Sequence, residues 1–365
     1  MNNLLLEVSD LHVSFETYVG EIHAVRGVDF YVKKGETLAI VGESGCGKTV
    51  MIQSIMRLLP EPPSFIKKGS IVFNGEELVG KTEVQMRKHR GNSFAMIFQD
   101  SMTALNPTMR VGNQIVEAMR VHKKISKREA KFSAIETMLK VGLPNPEHIF
   151  KAYSHTLSGG MRQRVMIAMA LCCNPEILFA DEPTTALDVT TQAQILDLML
   201  EIKEKLKSSL VLITHDLGVV AKMADRLAVM YAGQIVEEGT KEDIYYNHKH
   251  PYTWGLLGSM PNLVQTRKGK LISITGTPPD LFSPPLGCSF APRCKYAMNI
   301  CFKEMPLPQY FRREHRVRCW LYHDECPTLV TPPIRNKKDS YFLEEVGYDE
   351  QKLVRSEKCF ENIQD

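Results

Sequence analysis

The residues with the clearest chemistry form the stretch Gly42-Glu43-Ser44-Gly45-Cys46-Gly47-Lys48-Thr49, which fits G-x-x-x-x-G-K-[ST]. Glycines at these positions let the backbone curl until successive N–H groups point at one anion, as a β-phosphate requires. Lys48 adds a point charge for the β- and γ-phosphate oxygens, and the Thr49 hydroxyl is a ligand for Mg²⁺. A second group of chemical residues follows the apolar run in "ILFADE": Asp181 is placed to hold the Mg²⁺ shell, and Glu182 to polarise an attacking water. His215, after "LVLIT", is a donor for the γ-phosphate. Gln99, after "AMIF", is a candidate to orient water or Mg²⁺.

A second anion seat stands far from the first. "HTLSGGMRQRVMIAMAL" places Ser158, Gly159, Gly160 and Met161 at the start of a helical apolar pattern, where bare backbone N–H groups favour negative charge. One chain thus carries two half-seats for phosphate.

These residues need a scaffold. "ETLAIVG" (36–42), "EILFADEP" (176–183) and "SLVLITHD" (209–216) are continuous apolar runs, the pattern of strands buried on both faces. "KTVMIQSIMRLL" (48–59) and "VTTQAQILDLMLEIKEKL" (189–206) read as helices, so strand, glycine loop and helix open an α/β fold. Residues 4–34 alternate and predict a small antiparallel sheet, residues from about 100 to 165 a mostly helical insertion, and "RLAVMYAGQIVEEG" a hairpin turning at Ala232-Gly233. After about 255 proline and cysteine become frequent. The expected organisation is a P-loop nucleotide-hydrolase α/β core over 1–255 with an N-terminal antiparallel β subdomain, a loop-rich cysteine module over 256–330 that serves as a metal module, and a polar, loosely held tail over 331–365.

Composition excludes several classes. With 365 residues, 44% hydrophobic and 24% charged, the chain supports a sizeable core. A net charge of +3 gives no reason to expect nucleic-acid binding, and the basic run "RVHKKISKREAK" (120–131) reads as a solvated helix face. No apolar stretch reaches membrane-spanning length and the start lacks a secretory leader, so the expectation is a protein of the cytosol with reduced thiols.

Cys288, Cys294, Cys301 and Cys319 stand at C-x₅-C-x₆-C-x₁₇-C. Zinc sites favour x₂₋₄ pairs and ferredoxin-type clusters x₂ spacings, so the spacing points to a metal without naming it. Arg293, Lys295, Arg316 and Arg318 flank the group and favour thiolates; Cys326 is a substitute ligand, and Cys172 and Cys173 read as packing residues.

The order loop, Gln99, "LSGGMRQR", "ILFADEPTTALD", "THD" resembles that of ATP-binding cassette proteins over about 1–255. "GEIHAVRGVDF", "DSMTALNPTMRVG" and the C-terminal cysteines are similar to the ATPase subunits of bacterial oligopeptide/dipeptide importers. The resemblance implies an ATP-hydrolysing subunit, on the cytoplasmic face of the inner membrane, that powers peptide import. It implies that Ser158-Gly159-Gly160 close on ATP held by a second cassette, and that Asp188 lies in the loop crossing between the two ATP sites. It places an aromatic under adenine, Phe15 or alternatively Tyr18. Its partners are a second, related ATPase in a heterodimer, two membrane permease subunits docked near Gln99, and an extracytoplasmic peptide-binding protein, with no nucleic acid. The cofactors implied are Mg²⁺ and a [4Fe–4S] cluster on the four cysteines, with Zn²⁺ as alternative. Met161 and Cys46 depart from the usual residues without removing a needed group. The other readings are a soluble cassette ATPase of DNA repair or the ribosome, an importer of nickel or another small solute, and a subunit that binds ATP without cleaving it.

Overall fold

The structure, a computed structural model, describes residues 3–185, 187–259, 274–324 and 326. Two compact units divide between Gln234 and Ile235, ahead of the change in composition near 255. The reason is pairing: Glu237 and Glu238 register antiparallel with Val317 and Arg316, which draws this stretch into the second unit.

The first unit contains β1 (Leu4–Thr17), β2 (Gly20–Lys33), β3 (Thr37–Val41), β4 (Ser64–Phe73), β5 (Glu76–Glu77), β6 (Phe94–Ile97), β7 (Ile177–Asp181), β8 (Ser209–Ile213) and β9 (Arg226–Tyr231). β2-β1-β4-β5 form an antiparallel sheet, while β9-β3-β8-β7-β6 run parallel. Every residue of β3, β7 and β8 is buried, as their uninterrupted apolar runs require. The register pairs Ile97 with Ala180, Asp181 with Ile213, and Ile40 with Ile213. The strands therefore end level, and the residues that follow them emerge along one edge, where open α/β sheets bind ligands.

The expected helix over 48–59 is shorter: it covers Lys48–Ile55. Arg57 turns left-handed at φ 52°, its N–H reaching Ser54 O and the N–H of Leu58 reaching Gln53 O, a Schellman stop made without glycine. The insertion is helical over Val111–His122, Lys127–Lys140 and Gly159–Leu171, the middle helix opened by a capping box between Ser126 and Glu129. The basic run lies across the first two of these helices. Most of it is exposed, but Lys123 Nζ donates to Cys172 O at 3.0 Å, a cation on the C-terminal end of the third. Cys172 and Cys173 are buried there. Ala232 and Gly233 take φ of 45° and 80°, the left-handed pair of a tight two-residue turn.

The second unit is less loop-rich than its composition suggests. It contains all but the first residue of β10 (Gln234–Thr240), with β11 (Gln309–Arg312) and β12 (His315–Val317), β12 lying between the other two, and the helix Pro251–Gly258. Trp254, Val317, Cys319 and Leu321 form its small apolar core. In the same unit Glu237 is fully buried and accepts from Lys249 N (2.6 Å), His250 N (2.9 Å) and His315 Nε2 (3.0 Å). The predicted tail over 331–365 lies outside the described residues. Among the described residues no helix is long and apolar enough to cross a membrane.

Candidate functional site

The phosphate loop leaves β3 at Gly42 and ends at Gly47, the residue before the helix Lys48–Ile55. Its glycines are sterically demanded. A Cβ at Gly42 would lie 2.1 Å from Met230 O, and one at Gly47, where φ is 98°, would lie 2.4 Å from Ala24 O. Lys48 is buried, and its Nζ donates to the carbonyls of Gly42 and Glu43, both at 2.8 Å, and approaches Cys46 Sγ at 3.5 Å. The amine thus sits in the curl of the loop, with the loop's own oxygens holding it. Ser44 and Gly45 complete the turn, Gly45 at φ 78°.

The next strand ends supply the acids. Thr49 Oγ1 donates to Asp181 Oδ1 at 3.1 Å, so a hydroxyl from the loop's helix and a carboxylate from β7 meet. These are hard oxygen donors, suited to Mg²⁺. Burial pushes the Asp181 carboxyl above its usual range; the Thr49 hydrogen bond opposes this and the adjacent Glu182 charge adds to it. Such a carboxylate gains from a nearby cation.

Glu182 is where the site converges. Its Oε2 accepts from Gln99 Nε2 and from Thr185 Oγ1, both at 3.0 Å, and its Oε1 lies 3.1 Å from His215 Nδ1. Burial alone would raise this carboxyl. The hydrogen bonds from His215 and Thr185, with the charges of His215 and Lys48, outweigh it and hold Glu182 below its ordinary range. The result is an ionised carboxylate, able to take a proton, with its side chain still 17% exposed. Sequence reasoning named Gln99, Glu182 and His215 as separate candidates after apolar runs but did not single out Thr185, whose only signal is its position three residues after Glu182.

Ser158 stands elsewhere, as the N-cap of Gly159–Leu171: its Oγ accepts from Met161 N at 3.4 Å. A Cβ on Gly160 would come within 2.8 Å of Thr191 Cγ2, so this residue is small because the helix Val189–Leu206 passes close by. Gln163, not foreseen from sequence, is buried and donates to Pro183 O at 2.5 Å, tying this helix to the segment after Glu182. Asp188 caps the helix Val189–Leu206, accepting from Thr191 N at 2.9 Å. Phe15 is half-buried on β1, opposite Ile22 and Ser64, whereas Tyr18 is fully exposed in the turn to β2.

In the second unit Cys288, Cys294, Cys301 and Cys319 line one small cavity, shared with His250. Burial pushes Cys288 up to about 11 and Cys294 up to about 12, with neighbouring cysteines adding to the effect; Cys301 and Cys319 are raised in the same way. The flanking cations do not reverse this. Arg316 is paired to Glu238 at 2.6 Å, and Arg293 donates to Thr275 O at 2.9 Å. Among the described residues no three His, Cys, Asp or Glu side chains close on a single metal position. Cys326 lies outside the cavity lining, 3.9 Å from Met298 Sδ.

Comparison with known proteins agrees with this geometry. A family described as ABC transporter matches residues 25–185, and one described as the C-terminal region of oligopeptide/dipeptide transporters matches 236–301. The chain is 56% identical to the oligopeptide transport ATP-binding protein OppD of Bacillus subtilis, covering 90% of this chain and 92% of that protein. It is 55% identical to the dipeptide transport ATP-binding protein DppD of the same organism, covering 87% and 94%. Among solved structures, a dimeric ATP-binding cassette, MJ0796, bound to ADP and Pi superposes with a TM-score of 0.59 at 25% identity, covering 65% of this chain and 99% of that one.

Proposed function

This chain belongs to the ABC transporter family, in its oligopeptide/dipeptide branch, and we propose that its ATPase chemistry is carried by the carboxylate of Glu182. The activity is ATP hydrolysis coupled to peptide import. The observation that carries the residue assignment is the convergence of Gln99, Thr185 and His215 on Glu182 beside the phosphate loop. In-line attack of water on the γ-phosphorus needs a group that accepts the water's proton as the P–O bond to ADP breaks. Glu182 is ionised and held at two oxygens, so it orients that water and takes the proton. His215 turns its remaining ring nitrogen toward the γ-phosphate. Lys48 exchanges its loop carbonyls for phosphate oxygens, and the N–H groups of Gly42, Glu43, Ser44, Gly45, Cys46, Gly47, Lys48 and Thr49 cradle the chain of phosphates. Thr49, Asp181 and the amide oxygen of Gln99 would hold Mg²⁺, which neutralises charge on the phosphates when bound. Phe15, half-exposed on its strand, stacks on adenine.

Ser158, Gly159, Gly160 and Met161 serve the ATP of a partner cassette, because a helix start presents N–H donors to an anion and the Ser158 hydroxyl stands at that start. ATP then bridges two chains, and loss of phosphate after hydrolysis releases them, which gives the nucleotide the differential affinity a switch requires. The partner is a related ATPase, and the pair sits on the cytoplasmic face of the membrane under two permease subunits that receive peptide from an extracytoplasmic binding protein. Phe98 and Met102, both exposed beside Gln99, suit the permease contact.

Cys288, Cys294, Cys301 and Cys319 would hold a [4Fe–4S] cluster. What supports a shared ligand set is that all four side chains line one cavity. Such a cluster supplies a one-electron couple and a staple between four distant positions of the chain.

The deciding experiment is Glu182→Gln in the assembled transporter. Turnover is expected to fall by about 10²–10⁴ while ATP binding persists, the usual worth of a general base. Unchanged turnover would refute the assignment.

A further inference from the structure

Cys172 and Cys173 belong to neither site described above. They lie in the turn that closes the helix Gly159–Leu171, ended by Asn174, which takes φ 57° and donates its N–H to Leu171 O at 2.9 Å. Consecutive side chains on a regular helix diverge by about 100° round the axis. Here the turn brings them together, with the two Sγ atoms 3.9 Å apart. Lys123, the C-cap of the helix Val111–His122, donates Nζ to Cys172 O at 3.0 Å, so a cation is fixed beside the pair. In its thiol form Cys173 also reaches Ala118 O at 3.9 Å. The hydrogen bond from Cys172 pushes the Cys173 thiol below its usual range, against burial and with help from the Lys123 charge, and the same bond pushes Cys172 up. Burial sends Cys46, Cys288, Cys294, Cys301 and Cys319 the other way.

We propose that Cys172 and Cys173 are a vicinal dithiol that a small hydroperoxide closes, reversibly, to a disulfide. The Cys173 thiolate attacks one peroxide oxygen and the O–O bond breaks. The other oxygen leaves and takes the proton that Cys173 gave up. The Cys173 sulfur is then a sulfenic acid, oxidised by two electrons, and the peroxide is reduced by two. The Cys172 sulfur attacks it, the S–S bond forms, the S–O bond breaks, and water leaves with the Cys172 proton. Two thiols and one hydroperoxide thus give one disulfide, one alcohol and one water, or two waters from hydrogen peroxide. The Cα atoms of neighbouring residues are only about 3.8 Å apart, below the usual span of a disulfide, so thiols reduce the bond readily. Cys172 and Cys173 are 6% and 7% exposed, which favours a water-sized oxidant over a bulky one. The inference is independent of the role of Glu182 and of what the cysteines of the second unit hold.

The test uses the complete transporter, reduced, desalted and treated with hydrogen peroxide. It is then denatured in iodoacetamide and read by peptide mass spectrometry. In wild type the peptide carrying both residues is expected to lose two hydrogens and its alkylation to fall at least about tenfold, both reversed by dithiothreitol. Cys172→Ser removes the resolving thiol, so Cys173 is expected to hold a sulfenic acid that dimedone labels. Cys173→Ser leaves the less ionised thiol and is expected to label at least about tenfold less. Equal labelling of the two variants overturns Cys173 as the attacking sulfur. If a serine variant does not accumulate, the wild-type result decides alone. Full alkylation of both cysteines after peroxide, or sulfinic acid on either without an S–S bond, overturns the proposal and leaves the pair as packing residues. A disulfide from either to another cysteine of the chain overturns it as well.

Discussion

Glu182 in the first unit and Cys319 in the second are both taken substantially out of water, and burial pushes both toward their neutral forms. The outcomes are opposite. Glu182 has donors from Gln99, Thr185 and His215 within 3.1 Å and stays ionised. Cys319 faces other thiols, each of which raises it further, and stays protonated. The comparison teaches that desolvation sets the cost in both places, and that the neighbours decide the charge. A carboxylate ringed by donors is ready for proton transfer at once. Thiols ringed by thiols acquire charge only when a cation of iron or zinc takes the place of their protons.

The sharpest way to break the comparison is to damage one site and watch both. Lys48→Ala is expected to lower ATP turnover by about 10²–10³-fold, as loss of one preorganised charge does, while iron content is unchanged. Loss of iron in that variant would mean the sites are not independent. The reciprocal change, Cys319→Ser, is expected to reduce bound iron at least about fivefold and lower the thermal midpoint, since a ligand that binds only the folded state stabilises it. ATP affinity should stay within about twofold, and nucleotide titration checks it.

A smaller effect sharpens the account of Glu182. Thr185→Val keeps shape and removes one donor, so turnover is expected to fall a few-fold, the worth of a hydrogen bond of ~0.5–1.5 kcal/mol. The sign with pH is fixed. The Thr185 bond favours ionised Glu182, its loss raises that carboxyl, and the acid limb of the rate profile moves to higher pH. A limb that stays in place or moves to lower pH would remove Thr185 from the network. The smallest effect is Ser158→Ala, which strips the N-cap of Gly159–Leu171. A stability loss of ~0.5–1 kcal/mol is expected in chemical denaturation, because the 3.4 Å bond is long.

Legibility followed the distance between partners along the chain. The phosphate loop, the strand "ILFAD" and the helix Val189–Leu206 were readable because their determinants are neighbours: glycines at fixed offsets, an unbroken apolar run, a cap and a periodic face. The helix after the loop was overestimated because the Schellman stop uses Arg57, a residue with no turn signature. The level strand ends were not legible, since parallel register depends on pairing partners the local pattern does not name.

The sequence by itself determined which chemical groups exist and on which kind of element each rides, because propensity, periodicity and glycine geometry act over a few residues. Tertiary structure alone decided who meets whom. Gln99 and Glu182 are 83 residues apart and Glu182 and His215 are 33 apart, yet strand order sets all three side by side. His250 and the four cysteines share a wall only after the second unit packs. The physical reason is that hydrogen bonds and desolvation depend on distances in space, which a chain acquires only when its strands and helices have found their places.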